Sequence, residues 1–218
     1  MRIVKYFIGA CLLLGFTSCA SFGTKVHVIT PETLPSLKKI AIWPVAAVPL
    51  VDRIDEKHPE FVDSLLANYA DFRAQSMEIS KKAESVLLEE LNTSGLFSVI
   101  GPDSVLGMIS DRNPDYWRFG REDWKSYKDI VDATGFLITK LSFGRESGGI
   151  NTYVTLTIYD NVTGNAIIEA KFNTKWGKSY LLPQPMEKTL PDGIHGAVNG
   201  LINELRKHPA FGGTDRGN

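Results

Sequence analysis

The N-terminal segment of this 218-residue chain restricts what can stabilise the rest of it. Two basic residues precede an apolar run at residues 6–16, and two small residues follow, directly before Cys19. A basic end, a short apolar run and small residues form the order of an export signal, so we expect residues 1–18 to be removed. Cys11 would leave with the signal, and the one remaining cysteine cannot form an intramolecular disulfide. We therefore expect neither a disulfide nor a cysteine-ligated zinc to stabilise the mature fold.

The junction between Ser18 and Cys19 resembles a bacterial lipobox. The resemblance implies cleavage between these two residues, lipid attachment at Cys19 with fatty acids such as palmitate, and a place in the cell envelope, at the outer membrane. Two other interpretations stay open. One is an ordinary secretory signal cleaved near Ala20 or Phe22. The other is a membrane-spanning helix, which is disfavoured because crossing a bilayer takes about 20 apolar residues.

Composition indicates one globular domain without a nucleic-acid partner. The chain has 24 basic and 25 acidic residues, a net charge of −1, and 43% hydrophobic residues. Neither charge excess is large enough to favour nucleic-acid binding. We expect a tether at residues 19–36, a single domain at 37–208 and a flexible tail at 209–218. Two prolines break the tether, although residues 26–29 are suited to a short edge strand.

The pattern of apolar residues predicts an α/β (α+β) fold. We expect a single mixed sheet of about five strands with helices packed on it, in the order β-α-β-α-α-β-β-β-α. The strands are predicted at residues 39–45, 96–100, 135–143, 152–159 and 166–176. The helices are predicted at residues 61–92, 124–133 and 187–207, with a further short helix that starts within residues 101–104, has Asp103 as its N-cap and carries the apolar residues of 105–109. The first two strands, joined by a helix, should be parallel neighbours, and the last two should form an antiparallel hairpin.

Several of these segments resemble one group of envelope proteins. They are the strand at residues 38–44, the stretch 95–99 after the first helix, the step 132–138, and the hairpin 158–167 with its Asp-x-x-Thr-Gly turn. The group comprises the N-terminal domain of the Tol-system periplasmic protein, the curli-secretion lipoproteins and the penicillin-binding-protein-activator lipoproteins. The resemblance covers residues 37–207 and implies an envelope lipoprotein with a soluble α/β domain.

No pattern of residues indicates catalysis. The chain has no Gly-x-Ser-x-Gly elbow, phosphate-binding loop or dinucleotide fingerprint, and no pair of histidines has the helical spacing of a metal site. Its four histidines are His27, His58, His195 and His208. We therefore predict no enzyme, no cofactor and no metal. The leading hypothesis is a membrane-anchored protein that binds an envelope protein partner. The alternatives are a subunit of an oligomeric secretion or pore assembly, and an enzyme acting on cell wall or lipid.

Two segments are candidates for binding. The first interleaves aromatic residues with arginine, the residue types that dominate interface hot spots. It consists of Tyr116, Trp117, Arg118, Phe119, Arg121 and Trp124. This segment is either a partner surface or a loop that anchors itself on the fold. The second comprises Gly193, Gly196 and Gly200 in the last helix, which allow close packing on the protein's own sheet or on a second copy.

Overall fold

A computed structural model of the chain describes residues 24–49, 69–109, 123–146, 149–174 and 186–212. These residues form seven strands, three α-helices and three 3-10 helices. The strands are β1 (Thr24–Val28), β2 (Lys39–Ile42), β3 (Ala46–Pro49), β4 (Ser98–Ile100), β5 (Gly135–Glu146), β6 (Gly149–Asp160) and β7 (Ala166–Asn173). The α-helices are α1 (Tyr69–Ser94), α2 (Pro102–Ile109) and α3 (Met186–Leu205). The 3-10 helices are Pro31–Ser36, Asp123–Tyr127 and Pro209–Phe211.

The strands form one mixed sheet in the order β1-β7-β6-β5-β2-β4, with β3 paired to β5. Strands β2, β3, β4 and β5 run parallel, whereas β5, β6, β7 and β1 pair antiparallel. The predicted α/β class with a mixed sheet is confirmed. The strand number differs from the prediction of about five, because β1 and β3 also pair with the sheet.

The predicted strand–helix–strand unit is present as β2, α1 and β4, and the two strands are parallel neighbours. Helix α1 turns Ala83, Leu87 and Leu91 toward the sheet, and all three are fully buried. This is the spacing of a helix with one apolar face. Gly95, at φ +66°, follows the helix in the left-handed conformation that is common at a helix C-terminus. The first part of the predicted helix, residues 61–68, lies outside the described residues.

Two side chains of α1 also accept hydrogen bonds from backbone amides near the junction of β2 and β3. Glu84 is 3% exposed, and its Oε1 accepts a hydrogen bond from Val45 N at 2.9 Å. Ser80 Oγ accepts one from Ala47 N at 3.1 Å. These contacts supply partners for the amide of Val45, between the two strands, and for that of Ala47 in β3. The break between β2 and β3 contains Pro44, which lacks an amide hydrogen.

Helix α3 packs on the same sheet face as α1, and its three glycines face the sheet. A Cβ on Gly196 would lie 2.6 Å from the ring of Phe172, and one on Gly200 would lie 2.2 Å from Thr24 Cγ2. The close approach is therefore to β7 and β1 of the same chain. Of the two alternatives drawn from the sequence, packing on the protein's own sheet is the one that the structure shows.

The opposite sheet face carries a second, smaller core under α2 and the 3-10 helix Asp123–Tyr127. Trp124 and Phe136 are fully buried there. The prediction of an α-helix at residues 124–133 was wrong, because only this 3-10 helix forms. In a 3-10 helix, residues three apart lie on one side. This geometry lets Trp124 reach Phe136 and Tyr127 reach Trp43, with ring centroids 5.0 and 5.7 Å apart.

The folded domain also extends beyond both predicted boundaries. Strand β1 lies within the predicted tether, and the 3-10 helix Pro31–Ser36 follows it with Leu34 only 2% exposed. The expected edge strand near residues 26–29 is thus present as β1. Within the predicted tail, Phe211 packs on Phe97 with ring centroids 5.6 Å apart. The domain described by the structure therefore begins by residue 24, not 37, and continues past residue 208.

The turn between β6 and β7 has the geometry expected from the Asp-x-x-Thr-Gly sequence. Thr163 N donates to Asp160 Oδ1 at 2.6 Å, and Asn165 N donates to Thr163 Oγ1 at 3.2 Å. Gly164 has φ +75°, a conformation that favours glycine. Asp160 therefore stabilises the hairpin turn.

Candidate functional site

The predicted lipid site lies very close to the folded domain. Ser18 and Cys19 themselves are outside the described residues, but Thr24, only five residues after Cys19, already belongs to β1. Five extended residues span at most about 17 Å. A lipid on Cys19 would therefore hold the β1 edge of the sheet near the bilayer surface, much closer than a tether ending at residue 36 allows.

Strand β1 is held in place by three kinds of contact. All five of its residues pair with β7, from Thr24 opposite Phe172 to Val28 opposite Ile168. Val26 packs against the main core. Thr24 Oγ1 donates a hydrogen bond to the carbonyl oxygen of Gly196 at 2.8 Å, and this bond joins the first residue of the strand to α3. A pull on the chain at Thr24 would therefore act directly on the sheet and on α3.

The aromatic–arginine segment is described only at its end. Tyr116, Trp117, Arg118, Phe119 and Arg121 lie outside the described residues. Trp124 is fully buried, with ring centroids 5.0 Å from Phe136 and 5.3 Å from Tyr159. This residue is an anchor of the second core and does not belong to an exposed partner surface.

His195 forms part of a contact between two helices. Its Nδ1 lies 2.7 Å from Glu90 Oε1 on α1, and its Nε2 lies 2.7 Å from Asn199 Nδ2 on α3. Both ring nitrogens are thus engaged, and the side chain is 59% exposed. The arrangement joins α1 to α3 at the surface.

The other three histidines lie elsewhere. His27 is exposed on β1, and His208 accepts a hydrogen bond from Ala210 N. His58 lies outside the described residues.

Among the residues that the structure describes, two carboxyl groups have lowered pKa values, and both are exposed. Lys39 Nζ donates to Asp132 Oδ2 at 2.8 Å and lowers the pKa of that carboxyl. The ammonium of Lys82, 2.7 Å from Glu78, lowers the pKa of Glu78 in the same way. A lowered pKa keeps a carboxylate charged at neutral pH, whereas a general acid or base is poised near the working pH. These pairs are surface ion pairs.

In the described ranges, no group of three or more His, Cys, Asp or Glu residues is placed to hold a metal ion. No helix in the same part of the chain is both long and apolar enough to cross a membrane.

Sequence reasoning missed a row of lysines on the sheet face opposite α1 and α3. Lys25 on β1 is opposite Lys171 on β7, Lys171 is opposite Thr155 on β6, and Thr155 is opposite Lys140 on β5. All three lysines are exposed. We call Lys25, Lys171 and Lys140 the lysine row. The available signal was the alternation of polar and apolar residues in each strand. The row itself depends on the pairing of strands distant in the sequence.

A scan against protein-family models finds no match, and a search of curated proteins finds none. Among solved structures, the chain is similar to the PelC dodecamer from Paraburkholderia phytofirmans, with 13% identity, 84% of this chain and 96% of that chain covered, and a TM-score of 0.39. It is similar to lipoprotein GNA1162 from Neisseria meningitidis, with 9% identity, coverage of 77% and 98%, and a TM-score of 0.37. It is also similar to the LpoB C-terminal domain from Escherichia coli, with 11% identity, coverage of 66% and 94%, and a TM-score of 0.35.

One of these three proteins is itself a lipoprotein. At TM-scores below 0.4, however, the likenesses assign neither a family nor a function to this chain. The resemblance to the Tol-system and curli-secretion proteins, drawn from the sequence, stays a prediction.

Proposed function

We propose that this protein is a lipoprotein of the cell envelope, anchored at the outer membrane through Cys19, whose α/β domain binds an envelope protein partner without catalysis. The observation that carries the proposal is the short distance between the anchor and the fold. The signal-like segment ends at Cys19, and the sheet begins five residues later. An anchor so close to a rigid sheet confines the domain to a thin layer at the membrane, which raises its effective concentration toward other envelope components.

The anchor is tested by metabolic labelling with radioactive palmitate. Wild-type protein and Cys11→Ala should both take up label, because Cys11 would leave with the signal. Cys19→Ala should take up none, and should accumulate as precursor or be released from membranes. A stable anchor takes more than one acyl chain, since a single chain binds membranes only marginally. Equal labelling of Cys19→Ala and wild type would show that Cys19 is not the lipid site.

The alternatives from the sequence differ in what mild extraction yields. An oligomeric secretion or pore subunit should migrate as a high-mass species after extraction and crosslinking of the purified protein. A partner-binding protein should crosslink to a different chain in intact envelopes and be monomeric once purified. An enzyme acting on cell wall or lipid should convert purified envelope material without any partner. Crosslinking of the purified protein, crosslinking in intact envelopes and turnover of envelope material therefore test the three alternatives separately.

A further inference from the structure

The lysine row crosses four strands at one level of the sheet. Neighbouring strands lie about 4.8 Å apart, so Lys25 and Lys171 are adjacent and Lys140 lies about 14 Å from Lys25. Lys25 and Lys171 are a directly opposed pair. Like charges in directly opposed positions destabilise a sheet, so negative charge close to this pair is stabilising.

One carboxylate near the row contacts one of its three lysines. Glu169 lies on the same face of β7, and its carboxylate is 2.6 Å from Lys171 Nζ. His27, opposite Glu169 on β1, is exposed. Thr155 contributes an uncharged hydroxyl at the centre of the row. Toward the start of β5, the same face is covered by the second core. Around the row, the described part of this face thus carries three ammonium groups beside the carboxylate of Glu169.

The row also lies at the anchored end of β1. Lys25 is the second residue of β1 and only six residues after Cys19, which limits its distance from the anchor to about 20 Å. The row runs across the strands, so Lys171 and Lys140 lie at the same level along them. A folded partner of 100 residues would have a radius of gyration of about 13 Å. The distance of at most about 20 Å between Lys25 and Cys19 therefore leaves little room for such a partner between the row and the bilayer.

We propose that Lys25, Lys171 and Lys140 bind the anionic headgroups of the bilayer that holds the lipid on Cys19. This inference rests on the proposed function, because it needs the anchor at Cys19. Lysine is suited to the role, since its compact ammonium group on a flexible stem can meet phosphates at varied positions. A basic residue near an anionic membrane contributes about a fivefold factor to binding. The anchor alone leaves the domain free to rotate, and the row would select one orientation.

The test places a fluorophore on the full-length lipoprotein in vesicles. In the processed protein Cys19 carries lipid, so Thr155→Cys introduces a unique thiol at the centre of the row. A second protein carries the label at Val162→Cys, which is 82% exposed in the turn at the far end of β6, about 17 Å or more along the strand. The vesicles contain phosphatidylcholine with or without phosphatidylglycerol, and a small share of lipid with a nitroxide quencher on its headgroup.

We expect strong quenching at position 155 in vesicles with phosphatidylglycerol, weak quenching in neutral vesicles, and weak quenching at position 162 in both. Added salt should reduce the quenching at 155, because exposed charges are screened within about 8 Å at physiological ionic strength and about 3 Å at 1 M. Each lysine contributes about a fivefold factor to binding. Replacing all three by glutamine should therefore lower the ratio of molecules with the row bound to the bilayer to molecules with the row unbound by about 100-fold. The matched control is the triple glutamine variant of Lys82, Lys188 and Lys207, which are exposed residues outside the row. It should leave the quenching unchanged.

Each other outcome has a distinct meaning. Protein that floats with the vesicles but shows equal quenching at 155 with and without phosphatidylglycerol overturns the inference and leaves the anchor intact. Protein that does not float at all overturns the anchor and, with it, the inference. Protection of the row from a lysine-reactive reagent in whole envelopes, without protection in phosphatidylglycerol vesicles, would show that an envelope protein covers the face. The lipid assignment would then be wrong.

Discussion

Substitution of Gly200 by alanine tests how closely the anchored strand is packed on α3. The new Cβ would lie 2.2 Å from Thr24 Cγ2 and 2.7 Å from Thr24 Cβ. Carbon atoms in favourable contact lie about 3.5 to 4.0 Å apart, so β1 and α3 must separate by about 1.3 Å or more. Neither atom is the far end of a long side chain. The strain therefore falls on the strand.

Two opposing effects set the size of the change. Alanine in a helix interior is favoured over glycine by about 1 kcal/mol. Overpacking typically costs about 1 to 3 kcal/mol, and a clash that reaches the base of a side chain belongs at the upper end. We expect Gly200→Ala to lower the free energy of unfolding by about 2 kcal/mol net. For a domain of this size, that corresponds to a fall of about 4 to 8 °C in melting temperature.

Urea denaturation of the purified lipoprotein, followed by circular dichroism, measures the effect against a matched glycine. Gly107 lies in α2, where an added Cβ would meet nothing within 4 Å, so Gly107→Ala should stabilise the protein by about 0.5 to 1 kcal/mol. Adding Thr24→Ser to Gly200→Ala removes the clashing methyl group and keeps the hydroxyl that binds Gly196 O. It should restore part of the loss. A Gly200→Ala protein as stable as Gly107→Ala would refute the reasoning.

The remaining predictions concern the main core and the aromatic segment. Leu156→Asp places an unpaired charge at a fully buried position and should cost several kcal/mol, whereas Lys82→Ala on the exposed side of α1 should change stability by no more than about 0.5 kcal/mol. A urea midpoint for Leu156→Asp equal to that of wild type would contradict the core assignment. Trp124→Ala removes a fully buried ring and should cost about 3 to 5 kcal/mol. If the preceding segment is a partner surface, Trp117→Ala should weaken capture of a crosslinked envelope partner by more than about 1 kcal/mol at unchanged melting temperature. A folded but destabilised Trp117→Ala protein that still captures the partner would rule that surface out.

Patterns within single segments predicted most of the sheet and its helices. The alternation in β6 and the Asp-x-x-Thr-Gly turn located the hairpin with β7, and the apolar stripe of α1 placed it over the core. These signals are local, since each depends on residues within one element or on the turn that joins two. Tertiary packing then selected the same structure that local preference favours.

Strands β1 and β3 were not counted among the five predicted strands, because both are short and prolines stand beside them in the sequence. Pro31 and Pro35 favoured an irregular tether before the domain, but a 3-10 helix accommodates both, with Pro31 at its start. The first strand was predicted at residues 39–45, but it ends at Ile42, before Pro44, and the chain then pairs again as β3, with α1 supplying partners for two amides. The lysine row was missed because it depends on the register between β1, β7, β6 and β5. Register across the sheet is not visible in one strand.

The packing of Gly200 and the orientation of the domain on the membrane are physically linked through β1. If Gly200→Ala loosens β1 from α3 and β7, the segment between Cys19 and the sheet lengthens from five residues to about a dozen, and its reach grows from about 17 Å to about 40 Å. The longer segment lowers the effective concentration of the lysines on β7 and β5 at the bilayer surface. Headgroup quenching at position 155 should then fall in Gly200→Ala although Lys171 and Lys140 are intact. It should recover when Thr24→Ser is added. Unchanged quenching in a measurably destabilised Gly200→Ala protein would mean that β1 stays docked, and that the strain is absorbed elsewhere in α3.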